Sequence, residues 1–156
     1  MKKMYRQWLT VLGVSALFAS MFAVTVSALV KEVPIRGAGA GQITGVAPGP
    51  NGTFDLTAVG SGTATHLGKF TRSENISFDP VAGTLSGSIT FVSADGEELS
   101  ASFTAAFISA NEAVGTYVFT GGTGRFTDAS GSAPFSVVQS DPANFTFAFA
   151  GTIDLK

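Results

Sequence analysis

From residue 30 onward, apolar and polar positions alternate with a period of two, and no stretch places apolar residues at the 3.6 spacing of a helix. The clearest run lies near the C-terminus. Phe145, Phe147, Phe149, Gly151, Ile153 and Leu155 share one parity, and Thr146, Ala148, Ala150, Thr152 and Asp154 share the other, so one face is aromatic and its reverse small or polar. The same arithmetic sets Leu99, Ala101, Phe103, Ala105 and Phe107 against Ser100, Ser102, Thr104, Ala106 and Ile108. Such runs predict eight strands, near 35–46, 53–65, 69–78, 84–94, 97–109, 113–120, 131–139 and 144–155.

Turn residues punctuate these strands: Pro48-Gly49-Pro50-Asn51-Gly52, Asp79-Pro80, Gly121-Gly122 and Asp141-Pro142. Asp95-Gly96 is a hairpin signal and predicts a two-residue type I′ turn, in which both central residues take positive φ. Connections this short make successive strands antiparallel, because a parallel crossover needs a dozen or more residues. Eight such strands in a meander close most economically into an up-and-down β-barrel, which also removes exposed sheet edges. The expected fold is therefore all-β, an eight-stranded antiparallel barrel; a β-sandwich is the alternative.

A faint internal echo runs through the chain. Gly68-Lys69-Phe70-Thr71 recurs as Gly124-Arg125-Phe126-Thr127, each is followed by an Asp-Pro pair, and Gly87-Ser88-Ile89-Thr90-Phe91 is matched by Gly151-Thr152-Ile153-Asp154-Leu155. Two similar four-strand halves would produce it, as would chance in a chain rich in Gly, Thr and Phe.

The first 28 residues read differently. Lys2, Lys3 and Arg6 precede an uncharged stretch from Leu9 to Val26, and Val26-Ser27-Ala28 supplies the small residues of a cleavage site. This is the pattern of a secretory signal peptide over 1–28, leaving a single domain over 29–156 in a periplasmic or extracellular location. The alternative is an uncleaved membrane anchor. Removal of the leader leaves six Lys and Arg against eleven Asp and Glu, a net charge of about −5, and no basic stripe; nucleic acid and stable membrane insertion are not expected. With no cysteine, the domain holds no disulfide and depends on its core alone.

Candidate chemistry is sparse. His66 is the only histidine, so the common His/Cys zinc sites are excluded; neither a metal nor a cofactor is expected. By parity His66 would face a barrel mouth, and by position it would sit in a surface turn. Arg72 and Glu74 have the parity of Phe70, Ile76 and Phe78, which puts a charge pair on the core side unless a β-bulge turns both outward. A desolvated Arg and Glu must pair or shift protonation, and such pairs in cavities are often functional. Phe70, Phe103 and Tyr117 join His66, Arg72 and Glu74 as expected lining residues. Asp79, Asp128 and Asp141 adjoin turns, where aspartate commonly bonds nearby amides.

The segment Gly121-Gly122-Thr123-Gly124-Arg125-Phe126, followed by Ala129 and Gly131, resembles the GGTGRF segment of dirigent proteins and of the related allene oxide cyclase barrel superfamily. With Gly62-Thr63-Ala64-Thr65-His66-Leu67-Gly68-Lys69-Phe70-Thr71, it is also similar in texture to bacterial secreted proteins of unknown function. The resemblance implies an eight-stranded barrel with a central cavity and transfers no catalytic residue. Gly121, Gly122 and Gly124 are read as a structural turn, with Arg125 bonding carbonyls of that turn and Phe126 beside it. Three functions follow from these readings: non-catalytic binding of a small apolar or aromatic molecule, an isomerase or cyclase using His66, Arg72 and Glu74, and a structural or adhesive envelope module.

Overall fold

The computed structural model describes residues 31–155; the expected signal peptide over 1–28 and its cleavage point lie outside the described residues. Eight strands run in order: β1 Glu32–Pro48, β2 Phe54–Ala64, β3 Gly68–Asp79, β4 Thr84–Ser93, β5 Glu98–Phe107, β6 Glu112–Gly122, β7 Ser130–Gln139 and β8 Asn144–Asp154. Each pairs antiparallel with its sequence neighbours, and β8 returns to β1 to close the barrel. A sandwich is thereby ruled out. Every predicted strand is present, with ends that move by up to three residues.

Short loops at one end join β1 to β2, β3 to β4, β5 to β6 and β7 to β8. Asp79 and Asp141 do the same job there. Asp79 Oδ1 accepts the amides of Val81 and Ala82, and Asp141 Oδ1 accepts those of Ala143 and Asn144. The internal echo thus marks equivalent loops at its Asp-Pro pairs. Its first segment does not: Gly68 begins β3, whereas Gly124 begins a 3₁₀ turn, Gly124–Phe126, ahead of β7.

The Asp95-Gly96 hairpin differs from expectation. Gly96 takes φ 87°, but Asp95 is not among the positive-φ residues. Gly96 N donates to Ser93 O, and Ser93 N to Glu97 O, both at 2.9 Å. The loop therefore has three residues with glycine in the left-handed position, the next commonest hairpin form. Ser93 Oγ bonds Asp95 Oδ1, fixing the aspartate in the turn instead of leaving it to adopt positive φ.

Size complementarity closes the barrel. Across the β1–β8 seam, Gly37, Gly39 and Gly41 stand opposite Phe149, Phe147 and Phe145. A Cβ added at Gly39 or Gly41 would lie 2.6 Å from the Cζ of Phe147 or Phe145, so each ring occupies the space a side chain would take. Gly115 and Phe135 repeat the arrangement between β6 and β7. Rings folded over cross-strand glycines shield the bare backbone and bury apolar area together. Further in, Tyr117 stacks on Phe135 at 4.1 Å between centroids and meets Phe91 and Phe149 edge-on at 5.7 and 5.8 Å.

These rings fill one half of the barrel only. Toward the end that carries the β2–β3, β4–β5 and β6–β7 loops, the interior holds Ile35, Phe70, Phe91, Leu99, Phe119, Phe126 and Ile153, all buried. Toward the other end, the inward positions include Gly87, Ala105 and Ala113, which are smaller. The outward positions of the middle wall are mostly Ser, Thr, Ala and Val, so the phenylalanine face of β8 points inward. Substituting Gly39 by alanine is expected to lower stability by roughly 1–3 kcal/mol, the usual cost of overpacking. Chemical denaturation of the variant beside the parent measures it.

Candidate functional site

The chain turns two charges inward by simple parity. β3 pairs with β2 in unbroken register from Phe54–Phe78 to Ala64–Gly68, so no bulge intervenes and Arg72 and Glu74 stay on the inner face with Phe70 and Ile76. The bulges lie elsewhere, at Thr44 in β1 and Thr120 in β6. Opposite Arg72 and Glu74 on β2 stand Gly60 and Ala58, small enough for the long side chains to cross; a Cβ at Gly60 would meet Arg72 Cγ at 3.3 Å.

The Arg72 guanidinium lies 3.8 Å above the centre of the Phe147 ring and donates through Nη1 to Tyr117 Oη at 3.2 Å. Through Nη2 it forms a salt bridge with Glu74 Oε1. The two side chains are 1% and 6% exposed, and Arg72 Nε has no hydrogen-bond partner. Charge pairing and the ring face offset part of a desolvation cost of several kcal/mol per ion. Burial pushes the Glu74 carboxyl above its ordinary range, against the pull of Arg72. Burial likewise pushes the Tyr117 phenol up to about 12.

Above this layer the barrel is open. A cavity of about 650 Å³ is walled by Leu56, Ile76, Leu85, Phe103, Ala105, Phe135, Val137 and Phe145, with Arg72 and Glu74 at its floor. Val46, Phe54, Phe78 and Phe107 stand nearer its mouth with Asn111, Gln139 and Pro142. Phe78 and Phe107 meet edge-on at 5.7 Å. A cavity of a few hundred Å³ with apolar walls and few polar groups has the form of a small-molecule site.

Of the six expected lining residues, the structure brings Arg72, Glu74 and Phe103 to the cavity surface. Tyr117 sits behind them, holding Arg72 and stacked on Phe135. Phe70 lies on the far side of the charge layer, packed against Phe91 at 5.4 Å. His66 does not take part. It is exposed in the β2–β3 turn at φ 67°, at the filled end, with Nε2 3.0 Å from Pro34 O. Left-handed backbone in a tight connection breaks the strand parity that pointed it inward.

The glycine-rich segment is also at the filled end. Gly121 and Gly124 take φ 112° and 56°, and Phe126 is fully buried as a plug. Arg125 bonds across loops and not to its own turn: Nη2 reaches Asp95 Oδ2 at 3.0 Å and Nε reaches Glu97 Oε2 at 2.8 Å. The expected self-capping arginine is therefore a tie between the β6–β7 and β4–β5 loops, because two carboxylates outcompete neutral carbonyls for a guanidinium. Asp128 makes none of the turn bonds found at Asp79 and Asp141. Among the described residues, no group of three His, Cys, Asp or Glu is placed to hold a metal ion.

The chain matches no family model. No curated protein sequence matches it either. Among solved structures it is similar to the pterocarpan synthase dirigent protein GePTS1, with a TM-score of 0.55 and 17% identity over 81% of this chain and 92% of that one. At this identity the similarity shows a shared dirigent-like barrel fold.

Two expected outcomes follow from the charge layer. Glu74→Ala should cost about 3–5 kcal/mol by leaving Arg72 buried and unpaired, whereas Arg72→Met with Glu74→Leu should cost less than that single change. Denaturant titration of the single and double variants measures the difference. Separately, Tyr117 should resist ionisation until about pH 12. A folded pKa raised above the unfolded value near 10 means that stability is retained below pH 10. It should fall by roughly 2–3 kcal/mol as pH climbs from there to 12. Unfolding measured across that interval, with tyrosinate absorbance, checks the sign.

Proposed function

We propose that this protein is an exported, non-catalytic barrel that holds a small apolar or aromatic molecule in the open half of its interior. The observation that carries the reading is the cavity of about 650 Å³, apolar except at a floor formed by Arg72 and Glu74. A structural or adhesive module gains nothing from leaving half a barrel unfilled, since packing it would add stability. Export is supported by the leader at 1–28, with its basic start, uncharged run and small-residue cleavage site. The dirigent-like fold accords with a ligand in the barrel.

A second reading rests on Glu74. A carboxyl raised by burial at the floor of a cavity is suited to moving a proton, as an isomerase or cyclase would require. His66 has no place in that constellation, and Tyr117 is screened by the charge layer, which leaves Glu74 alone as the reacting group. The binding reading needs no further group and is preferred.

A panel of small apolar and aromatic compounds should contain members that raise the melting temperature. A ligand at a hundred times its Kd stabilises by about 2.7 kcal/mol. Ala105→Trp, which places a bulky ring in the cavity, should abolish that shift while the variant still melts cooperatively. A panel with no stabilising member, or stabilisation that survives Ala105→Trp, contradicts the proposal.

A further inference from the structure

The cations of the barrel are segregated along its axis, whereas carboxylates stand at both ends, Glu32, Asp95, Glu97, Glu98 and Asp128 among them at the filled one. Among the described residues, the exposed cations Lys31, Arg36, Lys69 and Arg125 all belong to the filled end. The open end carries Asp55 at the start of β2, Asp79 at the end of β3, Glu112 at the start of β6 and Asp141 in the β7–β8 loop. No cation stands among these four. Asp141 is held below the usual carboxylate range by Asn144 and the turn amides. None of the four lines the cavity wall, but charge of one sign at the end where a low-dielectric cavity opens biases the field that an entering molecule meets.

The floor has the same bias. Glu74 is the more accessible member of the ion pair, and only its Oε1 is engaged by Arg72. The guanidinium is drawn away behind it, against Phe147 and Tyr117. What the floor offers a ligand is therefore the acceptor of the pair, while both Nη groups of its positive partner are already engaged and the remaining Nε–H is buried away from the cavity surface. An anionic group arriving there would meet a carboxylate oxygen, and it would first have to lose its own hydration.

We infer that the cavity selects molecules whose polar end donates a hydrogen bond and carries no negative charge, and that it rejects carboxylates such as fatty or aromatic acids. This deepens the binding reading above and rests on it. The selecting elements are Glu74 at the floor and the four carboxylates about the mouth. The aromatic walls at Phe103, Phe135 and Phe145 accept neutral rings and tolerate a ligand cation.

The test is displacement of the neutral dye N-phenyl-1-naphthylamine from the purified protein by three matched compounds: 2-naphthalenemethanol, 2-naphthylmethylamine and 2-naphthoate. At low ionic strength the alcohol and the amine should displace the dye, with the carboxylate at least about tenfold weaker. That gap should narrow as salt screens the mouth. Asp55→Asn with Glu112→Gln, two surface changes compatible with folding, should also narrow it by improving the carboxylate severalfold. Glu74→Gln, if folded, should improve the carboxylate further by freeing Arg72 to face it. Dye binding with the carboxylate equal to or better than the alcohol overturns the inference and leaves the cavity reading standing. Failure of the dye and all three compounds to bind would remove both.

Discussion

The fold depends on phenylalanine rings lying across glycines at the seam where the last strand meets the first. Strand pairing alone does not decide where an eight-stranded sheet closes or how full its interior is; the side chains on the inner face do. Here Phe145, Phe147 and Phe149 need the room that Gly41, Gly39 and Gly37 leave, and the glycines need the cover that the rings give. Each side makes the other tolerable. The seam also places Phe147 where the Arg72 guanidinium can rest on its face, so the same contacts that close the barrel create the platform for the buried Arg72–Glu74 pair.

That pair sits at the boundary between two environments. Below it the interior is packed by Phe70, Phe91 and Phe126, and above it lies open space walled by apolar side chains. A buried ion pair is seldom the most stable filling for a core position, because desolvation consumes most of the attraction. Its position is therefore more informative than its strength. Arg72 is held from behind by Tyr117 and Phe147 and in front by Glu74, which fixes a polar floor in an otherwise apolar vessel. The filled end, tied by Arg125 to Asp95 and Glu97, gives that floor a rigid base.

The sequence was legible wherever period two governed. All eight strands, the antiparallel order and the inward direction of Arg72 and Glu74 follow from alternation and short turns. What alternation does not encode is depth along the barrel axis. Phe70 and Phe103 have equal claims to an inner face, yet one is packed beneath the charge layer and the other lines the cavity, because shear sets their heights. Phe135, Phe145 and Val137 were missed as lining residues for the same reason. His66 shows the other limit: parity carried past the end of a strand fails once the backbone turns left-handed. Arg125 shows that a local motif says little about partners thirty residues away.

The central claim is that the open half of the barrel is a ligand site and the filled half is scaffold. Amide chemical shifts recorded during titration with 2-naphthalenemethanol test it most directly. The structure predicts perturbations at Glu74, Ala105, Val137 and their neighbours around the cavity, with Leu99, Phe126 and Ile153 unmoved. Perturbations concentrated at the filled end or on the outer wall, or none at a concentration that saturates dye displacement, would contradict it.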